Sequence, residues 1–487
     1  MKVALYVPPI PDENTTPHLG PLYLLGVLER QGIEGRLFDA RIDRAAFLKL
    51  VEYEPDVLGV SAVTAGYLGG LRAATRLKQM RPDARVVFGG PHPSSLPHEV
   101  VAQPAVDCVL VGECERSFLD LCQRLREGDA SPAALREVKG IAFRDGSQAV
   151  ATEPGDLLSP QELDDLPFPA FHRMDLAAYF GGTQTHGLFR RGRRVLPVMT
   201  TRGCPQSCTF CCRVMGSRVR VRSVESVMAE VRLLVDTYGV DEVYFEDDNF
   251  TVRRERALEI LDRMAAFRPP VHLKFANGVR ADLVDRELLE AMRRARVYSL
   301  SFGIESGCKA TLERMKKHLD LDKARENVLL AKSLGFLVGA NCIIGYPGDT
   351  LGDVEESLSF FLRLPLDSMA IVNLVPFPGT EVRAECEREG WLTEQAKDWG
   401  NYYFAIGNPI PLIATPQLPA DALLRAVRRA YRRMYLRPRW IARAVRQVSP
   451  LQLLRGGATL LGLRRRAKGI EAEGLEGVEP GAGRSGQ

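Results

Sequence analysis

Three cysteines, Cys204, Cys208 and Cys211, stand in one short stretch that reads Thr200-Thr201-Arg202-Gly203-Cys204-Pro205-Gln206-Ser207-Cys208-Thr209-Phe210-Cys211-Cys212. Thiolates are soft ligands, and three of them in one loop can hold three irons of a cubane. The fourth iron then keeps a position open to a substrate or cofactor, much as a catalytic zinc does. A structural zinc knuckle is the rival use of such a loop. It needs four ligands, usually as two separated pairs, and no second Cys or His pair follows downstream. Cys212 is a fourth ligand only on paper, because adjacent cysteines diverge from a short loop, and it reads as a packing residue.

The elements that must position these thiols alternate along the chain. At 487 residues, 45% hydrophobic and 26% charged, the composition is that of a globular protein of two or three domains. The net charge of +4 is too small to argue for nucleic acid. No apolar run reaches the roughly 18 residues of a membrane span. The N-terminal Met1–Pro9 reads as a first strand cut by prolines, not a signal peptide. Ten cysteines in a chain this long are not a disulfide framework, so a reduced, cytoplasmic setting is expected.

From Met1 to about Gly128, short β-branched runs (Val3–Val7, Arg36–Phe38, Val57–Ser61, Arg85–Phe88, Asp107–Val111) alternate with amphipathic helical patterns. This predicts an α/β fold with an open, flavodoxin-like (Rossmann-like) parallel sheet, ligand beyond the carboxyl ends of its strands. Residues 1–138 are taken as this domain and 139–194, with a hairpin at Gly140–Gly146, as a bridging segment. Alternation resumes with strands at Leu196–Thr200, Glu242–Phe245, His272–Asn277, Ser299–Gly303, Gly339–Ile344 and Met369–Leu374. Six βα repeats predict a partial TIM-type barrel over 195–380, with chemistry at the C-terminal strand ends. The cysteine loop follows the first of these strands.

The C-x3-C-x2-C spacing, with an aromatic before the last cysteine, resembles the radical S-adenosylmethionine superfamily. The resemblance implies a [4Fe-4S] cluster on Cys204, Cys208 and Cys211, an external electron donor such as a flavodoxin or ferredoxin, and cleavage of S-adenosylmethionine to a 5′-deoxyadenosyl radical. It covers about Val195 to Thr380 and carries roles to successive strand ends. Glu246 and Asp247 would meet the methionyl amine, Arg280 the methionyl carboxylate, and Glu305 the ribose or amine. Ile343 and Gly345, in Asn341-x-Ile343-x-Gly345-Tyr-Pro-Gly348, fall where the adenine binds, with Phe210 beside the cluster.

The N-terminal half resembles cobalamin-binding domains fused to radical enzymes, on four loops: Pro17-His18-Leu19-Gly20, Ser61-Ala-Val63-Thr64, Gly89-Gly90-Pro91-His92 and Gly112-Glu113. The resemblance makes Leu19, Gly20, Ser61, Val63, Thr64, Gly89, Gly90, Pro91, Gly112 and Glu113 the cobalamin contacts. Small residues at strand ends let a planar ring approach the backbone. His18 lacks the aspartate that would orient it, so it is not expected to ligate cobalt. A docking module without cofactor is the alternative. No Gly-x-Gly-x-x-Gly fingerprint favours a dinucleotide.

Residues 381–468 form a basic, helical region. From about Ala420, Leu424, Val427, Tyr431, Met434 and Tyr435 share one helical face, and Arg425, Arg428, Arg429, Arg432 and Arg433 the other. Such a helix can lie on an anionic membrane surface, or pack on the barrel with snorkelling arginines. Residues 469–487 are Gly/Glu-rich and read as a disordered tail. Together the two halves resemble the cobalamin-binding-domain radical S-adenosylmethionine enzyme family, which implies methyl transfer to an unactivated carbon of a small molecule or lipid. Radical ring formation or coupling on a lipid or tetrapyrrole is a second reading, and a non-catalytic cobalamin or redox sensor a third.

Overall fold

The computed structural model describes residues 1–11, 16–181, 190–403 and 410–437, and the chain divides into two compact units. The expected 469–487 tail and the basic stretch beyond residue 437 lie outside the described residues.

The first unit holds Met1–Leu157 and Leu166–Gly181. Its strands β1 (Lys2–Val7), β2 (Glu34–Asp39), β3 (Val57–Ser61), β4 (Arg85–Gly89) and β5 (Cys108–Leu110) are parallel, in the order β2-β1-β3-β4-β5. That is the flavodoxin-like order. Val3 to Val7 and Val57 to Val60 are buried throughout, as in strands covered on both faces. The Gly140 hairpin forms as β6 (Ile141–Asp145) and β7 (Gln148–Ala151), but it does not bridge. It pairs antiparallel with β5 and extends the first sheet to seven strands. The rest of the expected 139–194 bridge is divided too: Leu158–Asp165 joins the second unit, and Leu166–Gly181 returns to the first. There the Tyr179 hydroxyl donates to Asp39 at 2.6 Å and Ala170 N–H to the Leu22 carbonyl at 3.1 Å.

In the second unit, β8 (Val195–Val198), β11 (Glu242–Phe245) and β12 (His272–Phe275) are parallel neighbours, as are β13 (Ser299–Glu305), β14 (Leu337–Ile344) and β15 (Ser368–Asn373). Single bridges, Leu273 to Val297 and Val279 to Phe302, join β12 to β13. Among the described residues, six parallel strands therefore run in chain order and stop short of closure. Helices Val224–Tyr238, Arg254–Ala266, Arg286–Arg294, Leu321–Ser333 and Leu351–Arg363 fill the crossovers. Four begin at side chains that accept the first free N–H groups: Ser223, Asp285, Asp320 and the capping-box Thr350. Along β13, Leu300, Phe302 and Ile304 are buried while Ser299, Ser301, Gly303 and Glu305 are half-buried, which separates a helix-covered face from a more open one.

The open edge of β15 is covered by the helix Ala420–Tyr435. Tyr431 Oη accepts from Ile371 N–H at 3.1 Å and donates to its carbonyl at 2.7 Å; Tyr435 Oη does the same for Met369 at 3.3 and 2.9 Å. Four residues of helix rise about 6 Å and two residues of strand about 6.6 Å, so the two hydroxyls match alternate strand residues. Val427, Tyr431, Met434 and Tyr435 are buried as expected; Leu423 is buried deeper than Leu424. Of the two readings of this helix, packing on the barrel is what the structure contains. Its apolar face is occupied, and Arg425, Arg428, Arg429, Arg432 and Arg433 stay exposed. No helix among the described residues is long and apolar enough to cross a membrane.

Candidate functional site

The cysteine loop leaves β8 through a short antiparallel ribbon, β9 (Thr201–Arg202) and β10 (Arg220–Val221). Its root is fixed by Asp247, just past β11. The Asp247 carboxylate accepts from Thr200 N–H at 2.6 Å, Thr201 N–H at 2.6 Å and Thr200 Oγ1 at 2.7 Å. Burial pushes its pKa up to about 6, against the pull of those donors. Asp247 therefore braces the strand end, a role different from the methionyl contact expected for it. At Gly203 the backbone is left-handed, φ +84°, and a Cβ would stand 2.4 Å from the Arg218 carbonyl oxygen, so only glycine fits.

The far side of the loop is pinned through Thr209. Its N–H donates to the Met315 carbonyl at 3.1 Å, its carbonyl accepts from Val382 N–H at 3.1 Å, and its hydroxyl lies 2.6 Å from Tyr346 Oη. Phe210 packs on an apolar cluster that includes Met315, Ile343, Tyr346 and Leu374. Cys212 Sγ lies 3.9 Å from the Pro378 carbonyl oxygen.

Two of the three remaining cysteines, Cys208 and Cys211, sit where a thiolate charge is costly. Lost hydration raises the Cys208 pKa, with Glu305 and Cys204 adding to the rise and Lys317 and Arg280 opposing it. The Cys211 thiol is pushed up to about 12 by lost hydration, then by Cys208, Asp248 and Cys204. The negative charge that burial makes costly on Cys208 and Cys211 is what a cationic metal core would draw off; with Cys204 in the same loop, this soft donor set fits an iron–sulfur cluster. Cys308, Asp353 and Glu356 also bring donor atoms within 4.8 Å of one another, but Asp353 already serves the Thr350 capping box.

Around the loop, the expected residues divide. Glu246 is half-buried beside it, its carbonyl held by Asn277 Nδ2 at 3.1 Å. Arg280 has other work than the carboxylate expected of it. Its Nε and Nη2 hold Asp282 at 3.1 and 2.8 Å, Nη1 donates to Gln206 Oε1 at 3.0 Å and the Lys317 carbonyl at 3.1 Å, and Nη2 to the His318 carbonyl at 2.9 Å. A guanidinium has five N–H donors, and all five are taken. Glu305, at the end of β13, pairs with Lys317 at 3.2 Å. Ile343 is buried, and Gly345 (φ +76°) lies under Leu423, whose methyl would be 2.7 Å from an added Cβ. Sequence reasoning missed Lys317, Gln206, Thr209 and Tyr346. Lys317 follows another lysine after a short helix and carries no local signal of burial.

The first unit presents its expected residues beyond the carboxyl ends of β1, β3, β4 and β5. Ser61, Val63 and Gly89 are half-buried, Leu19, Thr64 and Glu113 buried, Pro91 exposed. A Cβ on Gly20 would meet nothing within 4 Å, whereas one on Gly90 (φ +100°) would strike the Ala62 carbonyl at 2.9 Å. Gly112 N–H donates to Ser94 Oγ at 3.0 Å. Open space at Gly20 and bare backbone at Gly90 fit a large planar ring. His18 Nε2 lies 2.8 Å from Arg41 Nη1, and the same guanidinium holds Asp39. Since a guanidinium only donates, that imidazole nitrogen is the acceptor, and its lone pair is engaged.

Comparison with known proteins agrees with both halves. The radical SAM superfamily profile matches residues 198–361, and that of the B12 binding domain residues 12–121. An uncharacterized methyltransferase of Pyrococcus horikoshii is 26% identical over 90% of this chain and 93% of its own. The cytidylyl-2-hydroxyethylphosphonate methyltransferase of Streptomyces wedmorensis is 30% identical over 77% of this chain and 78% of its own. In fold, the chain is similar to the radical S-adenosylmethionine methyltransferase TsrM from Kitasatospora setae, with a TM-score of 0.66 at 19% identity over 80% of this chain and 76% of that one. With both cofactor-binding halves matched, and kinship that runs through most of its length, the chain belongs to the cobalamin-binding radical S-adenosylmethionine enzymes, which work with a [4Fe-4S] cluster, S-adenosylmethionine and cobalamin.

Proposed function

We propose that this protein is a cobalamin-dependent radical S-adenosylmethionine methyltransferase that functionalises an unactivated C–H bond of a small-molecule substrate. The observation that carries the reading is the loop of Cys204, Cys208 and Cys211 at the C-terminal end of β8, in a chain that also holds a B12-binding unit. When bound, the cluster supplies the electron that opens S-adenosylmethionine, and cobalamin supplies the methyl group.

The residues then take these parts. Cys204, Cys208 and Cys211 hold the cluster, and Cys212 does not. Asp247, Arg280, Gln206 and Thr209 keep the loop in shape. Glu246 and Glu305 offer acids to the methionyl amine, and Ile343, Gly345 and Phe210 line the adenine side. Leu19, Gly20, Ser61, Val63, Thr64, Gly89, Gly90, Pro91, Gly112 and Glu113 form the cobalamin cradle. A flavodoxin or ferredoxin provides electrons, in the reducing cytoplasm that ten free thiols suit.

The test combines chemistry and composition. Anaerobically reconstituted protein, reduced with S-adenosylmethionine, should yield 5′-deoxyadenosine and S-adenosylhomocysteine. Changing Cys204, Cys208 and Cys211 together to Ala should remove iron and both products, while Cys212→Ala keeps most of each. A triple variant that still takes up about four irons would end the reading, since it assigns the cluster to these thiols alone. Products that gain no methyl would move the reaction to ring formation or coupling.

A further inference from the structure

The helix Ala420–Tyr435 spends its apolar side on β15 and leaves the other side to solvent. On that side Arg425, Arg428, Arg429, Arg432 and Arg433 recur at helical spacing, and Leu436, 62% exposed, ends the row. From Arg425 to Leu436 the row is about 16 Å long. Among the described residues only one of these arginines, Arg429, has an acidic partner, Glu355 at 3.1 Å. The one acid of the helix, Asp421, stands in its first turn. By contrast, Arg254, Arg263 and Arg294 on the earlier barrel helices each hold a carboxylate. The sequence that follows keeps the same character. Residues 438–468 carry eight arginines and lysines, a tryptophan and six leucines, and no acid, in a chain whose net charge is only +4.

We propose that the arginine face of this helix docks the enzyme on an anionic phospholipid surface, through the phosphates of the headgroups. The apolar side is already occupied, so the helix rests on the surface by charge and does not insert. Guanidinium groups suit that task, because they pair with phosphate oxygens through two N–H groups at once. A bilayer offers a flat, continuous sheet of phosphates, which a straight row without interleaved acids can meet along its whole length. Leu436, at the end of the row, then reaches the interfacial layer. An acidic protein would call for discrete charge pairs, and would gain nothing from the leucine-rich basic sequence that comes next. The proposal stands apart from the cluster site and needs no cofactor.

The test is flotation of the full-length protein with vesicles of phosphatidylcholine alone, or of phosphatidylcholine mixed with phosphatidylglycerol. The wild type should float with the mixed vesicles at low salt and stay behind with the neutral ones. Rising salt should release it, because screening shortens the reach of the charges. Each arginine at such a surface changes partitioning about fivefold, so Arg425, Arg428, Arg432 and Arg433 changed together to Gln should lower it about a hundredfold or more. The same four changed to Lys should keep most of the binding. Both variants leave the buried side of the helix intact, so their iron content and melting should match the wild type. Undiminished flotation of the Gln variant would overturn the proposal and assign the binding to residues 438–468. Equal flotation with neutral and anionic vesicles would overturn it in favour of insertion. A wild type that stays behind with anionic vesicles at low salt would also overturn it, and leave an acidic protein as the partner of this face.

Discussion

Removing two hydroxyl groups from the C-terminal helix should loosen the last strand of the barrel. Tyr431→Phe and Tyr435→Phe keep both rings, which stack at 5.8 Å and 16°, and delete only the oxygens. Each oxygen makes two hydrogen bonds to one residue of β15, at Ile371 and Met369. A net hydrogen bond contributes about 0.5–1.5 kcal/mol, and a buried group left without a partner costs more, so each substitution should cost about 2 kcal/mol. That is close to a thirtyfold rise in local opening. Hydrogen exchange at the Met369 and Ile371 amides should quicken by that factor in the matching single variant, and at both in the double variant. Val338 N–H, which donates to Asp367 on the other side of the strand, serves as the control. Unchanged protection at Met369 and Ile371 in the double variant would refute the edge-covering role of the helix.

Asp247→Ala should leave two buried N–H groups, those of Thr200 and Thr201, without their acceptor, at about 2–4 kcal/mol, and lower iron uptake while the loaded fraction binds S-adenosylmethionine normally. Full iron content with weakened nucleotide binding would make Asp247 a ligand contact instead. His92, buried against Tyr67 at 4.2 Å, has its pKa lowered by burial from 6.5 to about 4. Between those values the unfolded chain binds a proton that the folded one refuses. Stability should therefore fall as pH drops through that window, by up to about 3 kcal/mol, and His92→Phe should flatten this acid limb in urea titrations. Coincident wild-type and variant curves from pH 7 to 4 would exclude it. Cob(II)alamin bound to the protein should show no nitrogen superhyperfine splitting from His18, whose Nε2 is engaged by Arg41; a splitting that vanishes in His18→Ala would reverse that conclusion.

What was legible in the sequence was periodic or tied to local chemistry. The runs from Val57 to Ser61 and from Glu242 to Phe245 are strands with the expected bounds, because burial on both faces leaves a compact apolar stretch, Val57–Val60 in the first and Val243–Phe245 in the second. The cysteine spacing needed no tertiary information. The Gly140 hairpin was legible as a hairpin, but its attachment to β5 was not, since edge pairing leaves no mark on the strand that joins. In Glu246-Asp247-Asp248 the three acids look alike. Only the fold turns Asp247 toward the threonines and leaves Glu246 half-open. Arg280 misled for a similar reason: a strand-end arginine looks available until Asp282, Gln206 and two carbonyls are seen to fill it. The helical period at Leu424–Tyr435 marked an apolar face without saying what covered it.

The alternation of the chain between its two units bears on how such an enzyme can be divided or recombined. Leu158–Asp165 belongs to the second unit, yet the chain then returns as Leu166–Gly181, where Tyr179 reaches buried Asp39 and Arg173 and His172 reach Glu29. A single cut after Leu157 would sever that strap from the sheet it serves. Neither a truncation there nor one gene-fusion junction would transplant the first unit whole; the graft needs two junctions, on either side of Leu158–Asp165. A lineage that acquired this unit by recombination would have had to inherit the strap with it, or evolve the Asp39 and Glu29 contacts afterwards.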